Sequence, residues 1–432
     1  MRKISHWTET YTEGESLDIL CDLAESHARQ AGGKHGLSLA RAIRHGNFRF
    51  VCDFETPLDI SVHEYLHLRQ AQALLSKVEF LPLGIDPEAA ALEKFRMAES
   101  LCRETNELFS GYEAGRIAFD ATVERALFGA QRKIASVLGE LPPLEKWGLR
   151  FGPGATTLTK KREASLREKF RAGISCSEEL LPAAGRLLAE LPHLAFVTAS
   201  CAVIEDEEWW ASVPVVIHDA TLSFVPKTAK TKRIVFPEPV LNGLGQMALG
   251  DVISRRLAAV GVDIRDQTRN QSLARRGSIS GDLATLDLQS ASDTVSKRIV
   301  ANLLPLDWWN ALKMLRTGHV QHRGERFTLE KFSGMGNGYT FALETLIFWS
   351  LARAVCSDPH EEVSVYGDDI IVPSARYEEL SHVLRVCGFL VNQSKSFHKG
   401  PFRESCGRDW FHGIDVRPYY QKDLVSPRSL FV

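Results

Sequence analysis

This sequence lacks any apolar run long enough to read as a membrane span: its best stretch, Tyr339 to Val355, is broken by Glu344 and Arg353. Met1-Arg2-Lys3 leads into polar residues rather than the apolar core of a signal peptide. Neither membrane insertion nor secretion is expected. The eight cysteines, Cys21, Cys52, Cys102, Cys176, Cys201, Cys356, Cys387 and Cys406, form no CxxC pair and no regular spacing. That excludes a zinc knuckle and fits a reducing, cytosolic compartment. No sign of charge dominates, since 52 Lys and Arg face 54 Asp and Glu for a formal net charge of −2. A protein that coats nucleic acid over its whole surface needs a large basic excess, so any nucleic-acid site must be focal. Internal repeats and low-complexity tracts are also lacking.

What is present is material for a large core: 432 residues, 44% hydrophobic and 25% charged, enough for two or three subdomains. Two basic clusters stand out, Lys160-Lys161-Arg162 through Arg171, and Lys227, Lys230, Lys232 and Arg233. The first reads as a solvated helix face ahead of an RNA contact. From about Ser16 to Glu140 the pattern is mostly helical, clearest in Ala89 to Phe109 and Gly115 to Leu138. Leu141 to Gly154 is rich in breakers, which marks a subdomain boundary or a backbone that must approach something closely. Val213 to Val225 and Ile234 to Phe236 then read as strands, and Val240 to Val260 as a helix.

Beyond Asp282 the spacing predicts a strand over Leu283 to Leu288, a helix from near Ser292, a helix over Tyr339 to Val355, and a hairpin. The hairpin arms are Val363 to Tyr366 and Ile370 to Val372, joined through Gly367-Asp368, a pair suited to a tight turn. Tyr377 to Cys387 follows as a helix. The expected class is α/β (α+β), with helices packed on a small, mainly antiparallel sheet.

Asp368 and Asp369 sit at that turn between apolar arms, where adjacent like charges repel unless cations neutralise them. The bland alternative is an exposed acidic turn. Asp287 adds a third carboxylate, inside an apolar strand where an unpaired charge is costly. It is either a buried ion pair or, if its strand lies beside the hairpin, part of an oxygen cage suited to Mg²⁺ or Mn²⁺. Phosphoryl transfer to a growing strand uses two such cations about 4 Å apart. Ser333-Gly334-Met335-Gly336-Asn337-Gly338 is a glycine-rich loop opening a long helix, suited to close approach by a template or nucleotide, or simply to a turn.

One further string competes. His63-Glu64-Tyr65-Leu66-His67 is an HExxH pattern, which on a helix places two imidazoles on one face for zinc, with Glu64 as base. Its third ligand would have to be Glu88 or Glu93, and neither is convincing, so a zinc protease is set aside.

Leu286-Asp287-Leu288 with Ser290-Ala291-Ser292-Asp293, then Ser333 to Phe341, then Val365-Tyr366-Gly367-Asp368-Asp369 closely resemble motifs A, B and C of RNA polymerases. The match is to the replicase beta subunit of single-stranded RNA bacteriophages, the leviviruses. Val225-Pro226-Lys227-Thr228-Ala229-Lys230-Thr231-Lys232-Arg233 is similar to motif F, and Gly400 to Gly407 to the motif beyond C. The order F, A, B, C is that of the family. The resemblance covers Phe224 to Tyr420, and Phe151 to Ala155 extends it more weakly.

The resemblance implies RNA-directed RNA synthesis from ribonucleoside triphosphates on a right-hand polymerase fold. It implies Asp287 and Asp368 as main ligands of two Mg²⁺ (or Mn²⁺) ions, with Asp369 assisting. Lys227, Lys230 and Arg233 would hold the triphosphate, with Lys232 alternating away across the strand. Asp293, Asn337 and Ser333 would read the ribose 2′-hydroxyl, against helix capping for Asp293 and a turn for Asn337. Lys395 stands where a general acid for the pyrophosphate leaving group is expected, against an ordinary surface lysine. Residues 1–280 would form a helical N-terminal fingers region that includes motif F, 281–420 the palm, with 297–332 returning to the fingers, and 421–432 a short remnant where a thumb would begin. The thumb is thus expected to be absent or truncated. Implied partners are RNA template and nascent RNA, the host elongation factors Tu and Ts and a small-ribosomal-subunit protein, in the cytoplasm of a bacterial host. Two rivals stay open: a reverse transcriptase, which shares the palm carboxylates, and a catalytically silent host-factor- or RNA-binding protein that keeps the fold.

Overall fold

The computed structural model describes residues 9–191 and 209–431. Met1-Arg2-Lys3 and Cys201 lie outside them. The chain opens with α1 (Glu13–Ala31), α2 (Gly33–Arg44), α3 (Phe48–Asp53) and α4 (Val62–Ser76). α1 starts where it does because Thr12 and Glu15 cap each other, Thr12 Oγ1 accepting from the Glu15 N–H and the Glu15 carboxylate from the Thr12 N–H. Leu20, Ala24 and Ala28 of α1 pack on Leu68, Ala71 and Leu75 of α4, every one of them buried. The last part of the chain closes over this unit. Val425 is buried with it, and its carbonyl accepts from the Tyr11 N–H at 2.8 Å.

Two long helices follow, α5 (Pro87–Glu113) and α6 (Ala121–Leu138). α6 begins six residues beyond Gly115 because Asp120 caps it, accepting from the Thr122 and Val123 N–H groups at 2.9 and 3.1 Å. Short elements then lead through α7 (Leu166–Arg171), β1 (Ile174–Cys176) and α8 (Ala184–Ala189). Lys161, Arg162 and Arg167 are exposed, as a solvated face requires. Lys169 instead turns inward and donates to the Gly152 carbonyl at 2.5 Å, so the breaker-rich segment does receive a close contact.

The single strand expected over Val213 to Val225 is three: β2 (Val215–Ile217), β3 (Ala220–Thr221) and β4 (Ser223–Thr228), each in a different small sheet. Asp219 sits between the first two, its carboxylate bound by Arg326 and Gln321, and a turn there relieves a charge the strand would bury. β4 pairs with β5 (Thr231–Val235) as the motif F hairpin. Then come α9 (Val240–Ala259), α10 (Thr268–Ser280), β6 (Leu283–Leu286), α11 (Lys297–Leu303), α12 (Leu306–Leu315), β7 (His319–His322) and β8 (Glu325–Thr328). The helix expected from near Ser292 is only a 3₁₀ turn over Ala291–Asp293. The true helix, α11, waits for Ser296, which caps Ile299.

The final third contains α13 (Thr340–Val355), β9 (Ser364–Tyr366), β10 (Asp369–Pro373), α14 (Tyr377–Val386), β11 (Phe402–Ser405), β12 (Arg408–Phe411) and β13 (Ile414–Asp415). One sheet positions the chemistry. Its order is β6-β10-β9, antiparallel throughout, with Ile370 opposite Leu286, Ile371 opposite Thr285 and Asp369 opposite Tyr366. Ile370, Ile371 and Val372 are all fully buried, because the sheet is covered on both faces. Ile371 packs with Leu273 and Ala274 of α10, whereas Ile370 and Val372 join the main core with Leu346 and Ile347 of α13. The expected mixed class with a small antiparallel sheet is what the structure has. Among the described residues the seven cysteines are free thiols, and no helix is long and apolar enough to cross a membrane.

Candidate active site

The β9–β10 turn is fixed from below. Gly367 takes φ 59°, and a Cβ there would meet Phe341 Cε2 at 2.4 Å, so a larger residue would have to push that ring aside. Its N–H donates to Thr345 Oγ1 of α13 at 3.0 Å. Asp368 and Asp369 are thereby presented at the sheet end as half-buried carboxylates, not as a freely exposed turn. Asp369 is steadied from the flank: Asn270 Nδ2 donates to its carbonyl at 3.1 Å and Ser405 Oγ to its Oδ1 at 3.2 Å.

Asp287 follows directly on β6, one residue beyond the pairing of Leu286 with Ile370. Residues 391–397 grip it. Its N–H donates to Ser396 Oγ at 3.0 Å, its carbonyl accepts from the Asn392 N–H at 2.8 Å, and its Oδ2 accepts from Asn392 Nδ2 at 2.9 Å. Lys395 Nζ stands 3.9 Å from Oδ1, with the Asp287 side chain 27% exposed. That is too loose and too wet for a buried structural ion pair.

These groups act on one another electrostatically. Asp368 is pushed above the usual carboxylate range by burial and then by Asp287, with Lys395 and Lys227 pulling the other way. Asp369 is pushed up to about 7, by burial and then by Asp368. Burial alone would lower Lys395, but Asp287, Glu404, Asp368 and Asp369 outweigh it and hold the ammonium charged. Lys227 is lowered by desolvation and then by Arg233. Among the described residues no group of three or more His, Cys, Asp or Glu side chains, the aspartates included, is arranged to hold a metal ion. Their chemistry fits a hard divalent cation all the same: oxygen donors only, mutually repelling, and partly withdrawn from water.

Beside the carboxylates, Asp293 does not cap a helix. Its Oδ1 accepts from Lys331 Nζ at 2.8 Å, and that ammonium is wholly buried, with Glu99 Oε1 at 3.7 Å. Ser333 Oγ is buried without a hydrogen-bond partner among the described residues. Asn337 Oδ1 accepts from the Tyr339 N–H at 3.1 Å, as a turn residue does. The glycines around it approach the chain's own backbone. A Cβ on Gly336 would meet the Phe236 carbonyl at 2.3 Å and one on Gly338 the Met247 nitrogen at 2.6 Å.

Under this loop lies Glu238, buried, bonded to Thr317 Oγ1 and near Gln246, its carboxyl pushed by burial up to about 7 from 4.5. A raised acid favours folding below its unfolded value and loses that contribution as pH rises through the folded one. Glu238→Gln is therefore expected to flatten the decline in stability between about pH 4.5 and 7, a span worth on the order of 3 kcal/mol. Urea denaturation at pH 5 and 8 measures it, and equal slopes in both proteins would contradict the assignment.

The motif F hairpin divides its four cations. Lys227 and Arg233 are both exposed and close enough to repel. Lys230, at the hairpin tip, is instead ion-paired with Asp53. Lys232 does alternate away from Arg233, but not into solvent: its ammonium pairs with Glu88 Oε1 at 2.9 Å.

Residues that the sequence did not single out are Lys331, Glu99, Asn270, Asn392, Ser396 and Ser405, together with Glu344. The Glu344 carboxyl is buried in α13, its Oε2 without a hydrogen-bond partner among the described residues, and is raised well above its ordinary value by burial, then Asp368 and Asp293. Its break in the apolar run was the available signal. The HExxH string lies on α4 with its imidazole centroids 4.5 Å apart, and a third imidazole, His27, meets His67 at 2.9 Å between Nδ1 atoms. Glu88 is engaged by Lys232 and Arg323 instead. Tyr65, inside the string, packs on Phe402 and Phe411.

The family model described as RNA replicase, beta-chain matches residues 51–432. The chain belongs to this family. It is 40% identical over 353 residues to the RNA-directed RNA polymerase subunit beta of Enterobacteria phage SP, an alignment that covers 80% of this chain and 59% of that one. To the corresponding subunit of Escherichia virus Qbeta it is 38% identical over 367 residues, covering 83% and 59%. The chain thus spans about 59% of the length of these curated replicase relatives. Among solved structures, the RNA-dependent RNA polymerase of a human picobirnavirus aligns at TM-score 0.41 and 14% identity, covering 71% of this chain and 60% of that one, too slight a likeness to carry argument. Family membership agrees with the resemblance carried by motifs F, A, B and C.

Proposed function

We propose that this chain carries the nucleotidyl-transfer centre of an RNA-directed RNA polymerase, which copies an RNA template from ribonucleoside triphosphates. The observation that carries this reading is the pairing of β6 with β10, which sets Asp287 beside Asp368 and Asp369. On this reading residues 281–420 are largely palm, and residues 1–280 with 297–332 form the fingers.

Asp287 and Asp368 act as the main ligands, with Asp369 behind them. Two Mg²⁺ (or Mn²⁺) ions bound there would supply charge stabilisation for the attacking 3′-hydroxyl and the leaving pyrophosphate. Lys227 and Arg233 neutralise the triphosphate, the guanidinium offering a fork to its oxygens. Lys230 joins them only by leaving Asp53. Lys395, kept charged by the surrounding carboxylates, gives its Nζ proton to the departing pyrophosphate. Asp293, Ser333 Oγ and Asn337 Nδ2 read the ribose 2′-hydroxyl. Assembly with host factors, elongation factors Tu and Ts and a small-ribosomal-subunit protein among them, belongs to the same proposal.

Incubation of the full chain with an RNA template, Mg²⁺ and labelled nucleotides tests the reading, with and without added elongation factors. Incorporation of rNTPs that a chelator abolishes is expected. Preference for dNTPs would point to a reverse transcriptase, and no incorporation under either condition would leave only a binding role.

A further inference from the structure

A cavity of about 440 Å³ lies between α11, α12 and the segment before the glycine-rich loop. Its lining includes Lys297, Arg298, Trp309, Lys313, Arg316 and Glu330. Four cations thus face one carboxylate, in a chain whose net charge is −2. Part of that charge is internally matched: Lys297 Nζ lies 3.0 Å from Glu330 and Arg298 2.9 Å from Glu113. Arg316 donates to the carbonyls of Phe332 and Lys331 at 3.0 and 2.9 Å, and the carboxylates of Glu179 and Glu238 act favourably on its charge. Lys313 is exposed and forms no ion pair among the described residues; its ammonium lies 6.0 Å from the Trp309 ring centre.

Trp309 supplies the second half of the chemistry. It packs on Phe332 with centroids 5.2 Å apart and also lines the cavity, half-buried. An indole beside the unpaired ammonium of Lys313 suits a ligand that joins a flat π-system to phosphate. A volume near 440 Å³ is in the range of small-ligand pockets, roughly 300–1,000 Å³, and suits a single nucleotide unit better than an extended peptide. The cavity is separate from the proposed substrate site. None of the residues proposed to bind substrate lines it: Lys331 reaches Asp293, whereas its neighbour Glu330 lines the cavity.

We propose that this cavity is a second nucleotide-binding site, in which Trp309 stacks a base while Lys313, joined by Arg298 once it leaves Glu113, holds phosphate. The ligand is a phosphorylated nucleoside, whether a free nucleoside triphosphate or one nucleotide of single-stranded RNA. The site goes beyond the polymerase reading and does not depend on turnover.

Photolabelling of the full chain with 8-azido-ATP in the presence of a chelator, followed by peptide mapping, tests it. Label is expected on the segment holding Trp309 and Lys313. Arg298→Glu with Lys313→Glu should cut that label about tenfold or more, the scale of one lost charge-assisted hydrogen bond, and leave any label near Lys227 unchanged. Trp309→Phe, which keeps the packing on Phe332, should weaken it less, and decides the matter if the charge variant does not fold. Competition by unlabelled ATP and by a ten-nucleotide single-stranded RNA separates the two sources: stronger displacement by RNA assigns the site to a strand, and by ATP to the free nucleotide. No label on this segment, or equal label in wild type and both variants, overturns the proposal.

Discussion

Asp368→Asn is expected to lower Mg²⁺-dependent rNTP incorporation by about 10³-fold or more while leaving the protein at least as stable. The activity term follows from the role proposed for its carboxylate, since several kcal/mol of charge stabilisation are lost with it and each 1.4 kcal/mol is about tenfold in rate. The stability term runs the other way. Asp368 is held above its ordinary range by burial and by Asp287, so the native state is strained by this charge, and a neutral amide of the same shape relieves it. The two effects separate a functional carboxylate from a structural one, because a structural ion-pair partner would lose stability on the same change. Single-nucleotide incorporation and urea denaturation on one preparation measure both. Unchanged incorporation would remove Asp368 from the centre, and a large loss of stability would make it structural.

The hairpin, its turn and the third strand were legible because each is a local pattern. Short apolar arms flank Gly367-Asp368, and a lone Asp287 interrupts an apolar run, so the pairing that unites them needed only one long-range step. Helix ends were legible where a cap residue marks them, and mistaken where several are available: Ser290, Ser292, Asp293 and Ser296 all offer a cap, and only Ser296 serves α11. The fate of the cations was not legible. Lys230 and Asp53 lie 177 residues apart, and nothing near either announces the pair. The same holds for Lys232, whose partner Glu88 stands at the start of α5 and had been weighed as a zinc ligand. Charge pairs between distant elements leave no periodicity to read, and so the side of a hairpin that faces substrate can be told from sequence only by motif resemblance.

Lys331→Met is expected to destabilise the fold by about 3–5 kcal/mol, the usual result of stripping a buried charge cluster of one member. The ammonium is fully buried, 2.8 Å from Asp293 and 3.7 Å from Glu99, and 4.6 Å from the ring centres of both Phe95 and Phe236. Methionine fills much of the same volume but leaves two carboxylates facing an apolar wall. Burial already raises the Glu99 carboxyl and Lys331 restrains that rise, so its loss must raise it further. An acid whose folded value is raised contributes most below its unfolded value, so the deficit of the variant should shrink as pH falls toward 5. Adding Glu99→Gln should recover part of it at neutral pH. The same ammonium fixes the rotamer of Asp293, the residue proposed to read the ribose, and freeing that carboxylate should reduce the preference for rNTP over dNTP by about tenfold or more, or roughly 1.4 kcal/mol. A purely structural lysine would move stability and leave that ratio alone. Wild-type discrimination in a folded Lys331→Met protein would therefore show that Asp293 is positioned by something else, whereas absence of polymerase activity in the wild type would instead refute the reading on which the ratio rests.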